Sequence, residues 1–498
     1  MIMSLIILIF FSFVYPDTKI TPEYGSADDR FGRDVALFSD WIAVGSNRDD
    51  TINGSNSGSV YIYKYDNFDI IQEYYIIPPD GESNDYFGKS ISVYENWLLV
   101  SSIYDNVNGE KSGSAYVYYF DGFDWTFHSK LVPDDGSPFD RFGYSLDIFD
   151  NIIAIGSVYD DDLGEDSGSV YVYRLNDNQW YLDQKLLSDD GEEGDFFGVT
   201  LSLDTDLLAV GSVYDDDMGL NSGSVSLFRY EDEFWLETNK ILAFDGSEYN
   251  FFGNAVDMHS RNLIVGSFHD NSLYQNSGSV YIYNILQNDI VQFVDKIIPF
   301  DASSNDKFGQ SVSMYDNYFS AGSLNDDNGL NSGAVYLYDL NQEFNEIKYI
   351  PDDGSQYDEF GGAISIYGNK ILVGSQYSEN SMGSVYLADF IGCSLSNACN
   401  YNIDLWSNES FCEYPINNFE CDENCYDEID NCGVCGGLGV SGDANYDLSI
   451  DILDVVLIIE YILELNVHDV NVCTTDISLD EIVNITDLVL LLEIILNQ

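Results

Sequence analysis

An all-β fold, a seven-bladed β-propeller closed on itself, is predicted for three-quarters of this 498-residue chain, and three observations carry it. The dipeptide Phe-Gly recurs with Phe at 31, 87, 142, 197, 252, 308 and 360, a step of 52 to 56 residues. A second landmark follows each by 23 to 27 residues: GSVYIY from Gly58, GSAYVY from Gly113, GSVYVY from Gly168, and related forms from Gly223, Gly278, Gly333 and Gly383. The third observation is that the repeat is out of phase with the ends of the chain. A period of this length, made only of short β-type runs and turns, marks stacked supersecondary units.

Residues 142–197 show what one unit holds. FGYSLDIF is followed by an Asp150-Asn151 turn, then IIAIGSV, the loop YDDDLGEDSG and the run SVYVYRL. A turn at NDNQ leads to WYLDQKLL and the loop SDDGEEGD before the next Phe-Gly. Connections this short make the four strands antiparallel. In SVYVY, Val170 and Val172 share one face and Tyr171 and Tyr173 the other, because side chains alternate. With both faces apolar, each sheet needs a neighbour on either side, which radial stacking of four-stranded sheets supplies.

Closure follows from the ends. The seventh unit stops after its third strand, GSVYLADF, and lacks a fourth. The N-terminal stretch DTKITPEYGSADDRFG from Asp17 aligns without a gap on DQKLLSDDGEEGDFFG from Asp183, a fourth strand and its loop. Residues 17–22 are therefore expected to complete the last blade, and the propeller to span 17–391. An open stack would need polar capping repeats instead.

Composition narrows the partners. With 86 acidic and 18 basic residues the formal net charge is −68, which disfavours nucleic acid and anionic membrane surfaces. Residues 1–16 contain the apolar run IMSLIILIFFSFV, too short to span a bilayer and readable as a signal-peptide core, although it lacks a basic n-region and an A-x-A site. A secreted or cell-surface protein with no membrane span is expected, with a retained anchor as the alternative. Seven of the eight cysteines fall between Cys393 and Cys435, in a polar spacer over residues 392–441, and the last is Cys473. Export favours disulfides there, although C-x2-C at Cys432 and Cys435 also has zinc-ligand spacing.

Residues 442–498 carry two related loops, each followed by an apolar run. Oxygen side chains stand at loop positions 1, 3, 5, 9 and 12: Asp443, Asn445, Asp447, Asp451 and Asp454, then Asp476, Ser478, Asp480, Asn484 and Asp487. The carbonyls of Ser449 and Ile482 at position 7 add a ligand each, so two Ca2+ sites are expected. The last Asp of each loop opens a helix, where the N-terminus tolerates negative charge. This pattern resembles a type I dockerin, a small all-α, EF-hand-like module. The resemblance implies calcium-dependent binding of a cohesin-like or other cell-surface protein. Leu448 and Glu481 depart from the usual glycine at position 6, and apolar Leu453, Val455, Val456, Leu488 and Val489 depart from the usual partner-reading residues.

The Phe-Gly units resemble FG-GAP repeats, known from integrin α-subunit heads and bacterial secreted proteins. Integrin-type blades carry a calcium loop between strands one and two. Here short turns such as Ser39-Asp40, Asp150-Asn151 and Tyr367-Gly368-Asn369 stand in that place, so those metal sites do not transfer. The strand 2–3 and 4–1 loops emerge on one face and are acidic, among them Asp49-Asp50, Asp160-Asp161-Asp162, Asp215-Asp216-Asp217 and Asp326-Asp327, with Asp134-Asp135, Asp189-Asp190 and Asp352-Asp353. That face is expected to be a ring of carboxylates, either binding calcium or a cationic or hydroxylated ligand, a polysaccharide or a protein, or serving only as turn chemistry and a salt-adapted surface. No nucleophile elbow, HExxH or phosphate loop is present, and His269 alone interrupts the loop pattern. A non-catalytic binding protein is the leading expectation. A part in polysaccharide breakdown and integrin-like adhesion are the alternatives that the resemblances imply.

Overall fold

The computed structural model describes residues 18–66, 69–326, 331–341, 344–392, 406–407, 452–462, 483 and 485–496. The chain divides into two compact units, Met1–Phe390 and Ile391–Gln498. The first is seven four-stranded sheets, each meandering outward from the axis. In the third, Phe142–Phe149, Ile152–Ser157, Ser169–Asn176 and Gln179–Leu186 pair in that order, all antiparallel. The seventh holds Ala363–Tyr367, Lys370–Ser375 and Ser384–Asp389, and its outermost strand is Thr18–Ile20. The register is Thr18 with Leu387, Lys19 with Tyr386 and Ile20 with Val385, so the N-terminal strand closes the ring. Tyr367 belongs to the inner strand rather than to the turn after it, which is Gly368-Asn369 alone.

The core lies between sheets. Leu99 and Val117 of the second sheet pack with Ile153, Ile155 and Tyr171 of the third. The Phe of each Phe-Gly is buried and meets a third-strand aromatic ring edge-on, a tyrosine in most sheets, as in Phe142–Tyr171 at 5.4 Å and Phe252–Tyr281 at 5.1 Å, and Phe228 against Phe197 in the fourth. Each such side chain contributes about 1.5–3 kcal/mol on burial. The fourth strands are the exposed rims. In Gln179–Leu186 only Trp180 and Leu186 are buried.

Two devices lock neighbouring sheets. A side chain at the sixth position counted from the Phe of Phe-Gly accepts the next sheet's backbone N–H: Asp147 from Leu203, Ser202 from Met258, Asp257 from Met314, Ser313 from Ile366 and Ser365 from Leu37. These bonds satisfy donors at sheet edges that would otherwise be buried and unpaired. The glycine that opens each third strand lies against the next Phe-Gly. At the closing junction Gly383 has φ +94°, and a Cβ there would come within 1.9 Å of the Phe31 carbonyl oxygen. Only glycine adopts that backbone and leaves that space.

In the second unit, helices Ile452–Ile462 and Ile485–Leu496 pack through Val455, Ile458 and Leu491. Asp454 and Asp487 fall in their first turns. The other ten expected calcium ligands, all eight cysteines, Asp327 and the apolar N-terminal run lie outside the described residues. Among the described residues no helix is long and apolar enough to cross a membrane.

Candidate binding site at the mouth of the axial channel

The acidic loops do share one face, but they do not form a ring of free carboxylates. In the third sheet, Lys185 on the outer strand places its Nζ 2.9 Å from Asp135, 2.9 Å from Asp160 and 2.7 Å from Asp162. The Tyr171 hydroxyl donates to Asp135 at 2.9 Å and to Asp160 at 3.1 Å. The cluster repeats as Lys130 with Asp80 and Asp105, Lys240 with Asp190 and Asp215, Lys296 with Asp245 and Asp270, and Lys348 with Asp301 and Asp326. In the seventh sheet Lys19 bridges Asp353 and Glu379. Burial works against the charges, yet the Lys185 and Tyr171 contacts hold the Asp135 carboxyl below its usual range. Among the described residues no group of three or more His, Cys, Asp or Glu could hold a metal ion. The expectation of a ring of free carboxylates is corrected accordingly, because lysines invisible in the loop sequences each tie down two or three of the acids while the rim stays net acidic.

The first sheet departs from this pattern. Tyr24 stands where the other 4–1 loops have Asp, and Tyr75 where the outer strand has Lys. Asp49 is left to the hydroxyls of Ser59 at 2.6 Å and Tyr75 at 2.9 Å, and the buried Tyr61 hydroxyl has no hydrogen-bond partner.

Inside the acidic rim the chemistry changes sign. In the first six sheets the inner strand bulges just after Phe-Gly. Phe142 pairs with Ser157 and Leu146 with Ile155, so three residues on one strand oppose one on the other. Extra residues of this kind re-aim side chains, here toward the axis. The bulges line a cavity of about 290 Å³ whose walls include Arg33, Asp34, Lys89, Tyr144, Asn254 and Gln310. The Asp34 oxygens are taken by the N–H groups of Val35 and Ile91. The Lys89 ammonium lies 5.1 Å from the centre of the Tyr144 ring.

Around the mouth runs a collar of aromatic and basic side chains. One set precedes each Phe-Gly and the other begins each 2–3 loop. Arg141 stacks over Tyr159 at 4.1 Å and Tyr104 at 5.2 Å, and Arg30 over Tyr377 at 4.9 Å. Tyr159, Phe196, Tyr214 and Phe251 continue the circuit ring to ring at 4.9, 4.9 and 5.6 Å. His269 joins it against Phe251 and Phe268 at 5.0 and 4.3 Å, and burial with nearby Lys307 pulls its pKa down. The residues before Phe-Gly all have left-handed backbones, with φ between +51° at Glu359 and +59° at Arg30 and Lys307. That conformation is uncommon for bulky side chains and concentrates at functional positions.

Seven stretches of the chain match the FG-GAP repeat: residues 17–63, 71–118, 125–173, 180–228, 235–283, 291–338 and 344–388. The chain belongs to the FG-GAP repeat family. Each matched FG-GAP stretch runs from one sheet's outer strand to the third strand of the next, so the repeat boundary and the blade boundary differ by one strand. Residues 441–496 match the Dockerin type I domain. No curated protein matches the chain. The dockerin region contains the two packed helices and all twelve residues expected to ligate calcium.

The sequence alone pointed to the FG-GAP scaffold and the Dockerin type I domain but, His269 apart, not to the collar. A signal was available. Basic residues are scarce, and several sit at fixed offsets from Phe-Gly: Arg30, Arg141 and Lys307 immediately before it, Arg33 and Lys89 immediately after.

Proposed function

We propose that this FG-GAP protein is an extracellular or cell-surface binding protein without catalytic activity, its propeller the recognition part and its dockerin domain the attachment to a cohesin-type partner. The observation that carries the reading is the union in one chain of a rigid propeller, with a built opening on its axis, and a Dockerin type I domain. Dockerin type I domains typically bind calcium, and the donor set here suits that ion: oxygen ligands throughout, with Asp454 and Asp487 in the first turns of helices Ile452–Ile462 and Ile485–Leu496. The bound ion would draw each loop around itself and join it to its helix.

The test is capture of the full chain on an immobilised type I cohesin, in millimolar calcium and in chelator. Capture in calcium and its loss in chelator are expected, together with slower hydrogen exchange across residues 452–496 when calcium is present. Equal capture in both conditions, or none in either, would count against the docking role.

A further inference from the structure

Twelve of the 18 lysines and arginines lie within 4.0 Å of an aspartate or glutamate oxygen. The remaining six, Arg30, Arg33, Arg48, Lys89, Arg141 and Lys307, make no such pair among the described residues. All six surround one opening, the mouth of the axial channel. A chain with 86 acids offers a partner to almost any surface cation, so six without one in a single place is a strong asymmetry. Two acids stand near them without pairing. Asp34, close to Lys89 and Arg33, has its oxygens occupied by backbone N–H groups, and Glu359, its pKa raised by burial against the pull of Lys307, Arg33 and Arg30, is bonded by Gln376. The Nε atoms of Arg48 and Arg141 are buried without any hydrogen-bond partner.

We propose that the axial mouth binds an anionic sugar, its carboxylate or sulfate group held by Arg33 and Lys89 in the channel and by the guanidinium groups of the collar, with the collar's aromatic rings against the sugar face. Guanidinium and ammonium donors to an oxyanion are the strong class of hydrogen bond. Aromatic rings supply rigid apolar area at little entropic cost. A cavity of about 290 Å³ lies near the lower end of small-molecule sites, roughly 300–1,000 Å³, which suits the end of a saccharide rather than a long chain. The acidic rim outside the mouth repels anions that approach elsewhere and leaves the axis as the one favourable place. Lys89 is faced by Arg33 and Asp34 of the first sheet and by Tyr144 of the third. Burial and the Arg33 charge bring its ammonium down to about 7. Binding therefore weakens as the pH rises above neutrality.

The proposal rests on the propeller being the recognition part of the protein, and it deepens that reading. It is tested by calorimetric titration of the full chain with galacturonate, galactose 6-sulfate, galactose and inorganic sulfate. The two anionic sugars are expected to bind and galactose to give no heat. Inorganic sulfate should bind more weakly than the sulfated sugar, since it lacks the ring that the aromatic collar meets. Arg33→Gln combined with Lys89→Met should lose about tenfold or more in affinity while circular dichroism and melting stay as in the parent. If that variant does not fold, Arg141→Gln is read in its place. No heat from either anionic sugar, equal binding of galactose, sulfate binding as tightly as the sulfated sugar, or affinity unchanged in the variants would each overturn the proposal. Cohesin capture is measured on the same preparations. Capture retained while sugar binding fails sinks the sugar site alone, and the reverse sinks the docking role alone.

Discussion

Asp160 is 4 % exposed, and Lys185 and Tyr171 both reach its carboxylate. Removing one partner of a buried ion pair costs more than the pair contributed, since the other charge stays in a site poor in water. Lys185→Met is therefore expected to lower the unfolding free energy by about 3–5 kcal/mol, read by urea denaturation. Lys111→Met is the control. Its ammonium stands 4.0 Å from the exposed Glu110 carboxylate, and its loss should cost less than about 1 kcal/mol. Equal effects would contradict the cluster. This cluster also shows where sequence reading stops at the residue scale. Asp160-Asp161-Asp162 is legible as an acidic loop. Lys185 comes to it only through the register that sets Tyr171 opposite Lys185 across two strands, and Asp135 comes from the connection to the preceding sheet. Neither spacing is local, so the loops read as uncompensated acid.

The strand Thr18–Ile20 is the element on which closure of the wheel depends. Its placement was legible because alignment on Asp183 needs no gap, and strand order then leaves it one site, beside Ser384–Asp389. The inner-strand bulges were not legible. An insertion of two residues relative to the partner strand leaves the hydrophobic alternation on either side intact, so nothing in the pattern of Phe142–Phe149 marks where Tyr144 turns to the axis. Ile20→Pro removes a backbone donor and a buried side chain from the closing strand. It should make amides of Ser384–Asp389 exchange about tenfold or more faster while the other six sheets keep their protection. Uniform loss of protection in every sheet would mean that the ring unfolds as one unit, and no change would mean that the strand contributes nothing to closure.

Over the whole molecule, charge sets how stability responds to pH. Burial, against the help of a backbone N–H and with added repulsion from neighbouring carboxylates, lifts Asp29, Asp85, Asp140 and Asp195 in the 4–1 loops to about 6. Burial likewise holds the inter-sheet Asp147 and Asp257 at about 6. An unfolded Asp titrates near 3.9, so the folded protein binds protons more tightly than the unfolded chain between about 4 and 6. The stability these groups contribute is fully present below about 4 and is lost as pH rises through 6. The lysine-bound Asp80, Asp135, Asp190 and Asp353 have lowered values and act in the opposite sense. Their contribution is present above about 4 and disappears as pH falls through their folded values. Self-repulsion from a net charge of −68 adds to the first group, since protonation relieves it. The melting midpoint of the propeller should therefore rise by several degrees from about pH 7.5 to about pH 5, then fall below about pH 4. Added salt should raise it more at the higher pH, because it screens the repulsion between exposed charges. A midpoint highest near neutrality, or one insensitive to salt at about pH 7.5, would show that the lysine clusters rather than the buried loop aspartates govern the response.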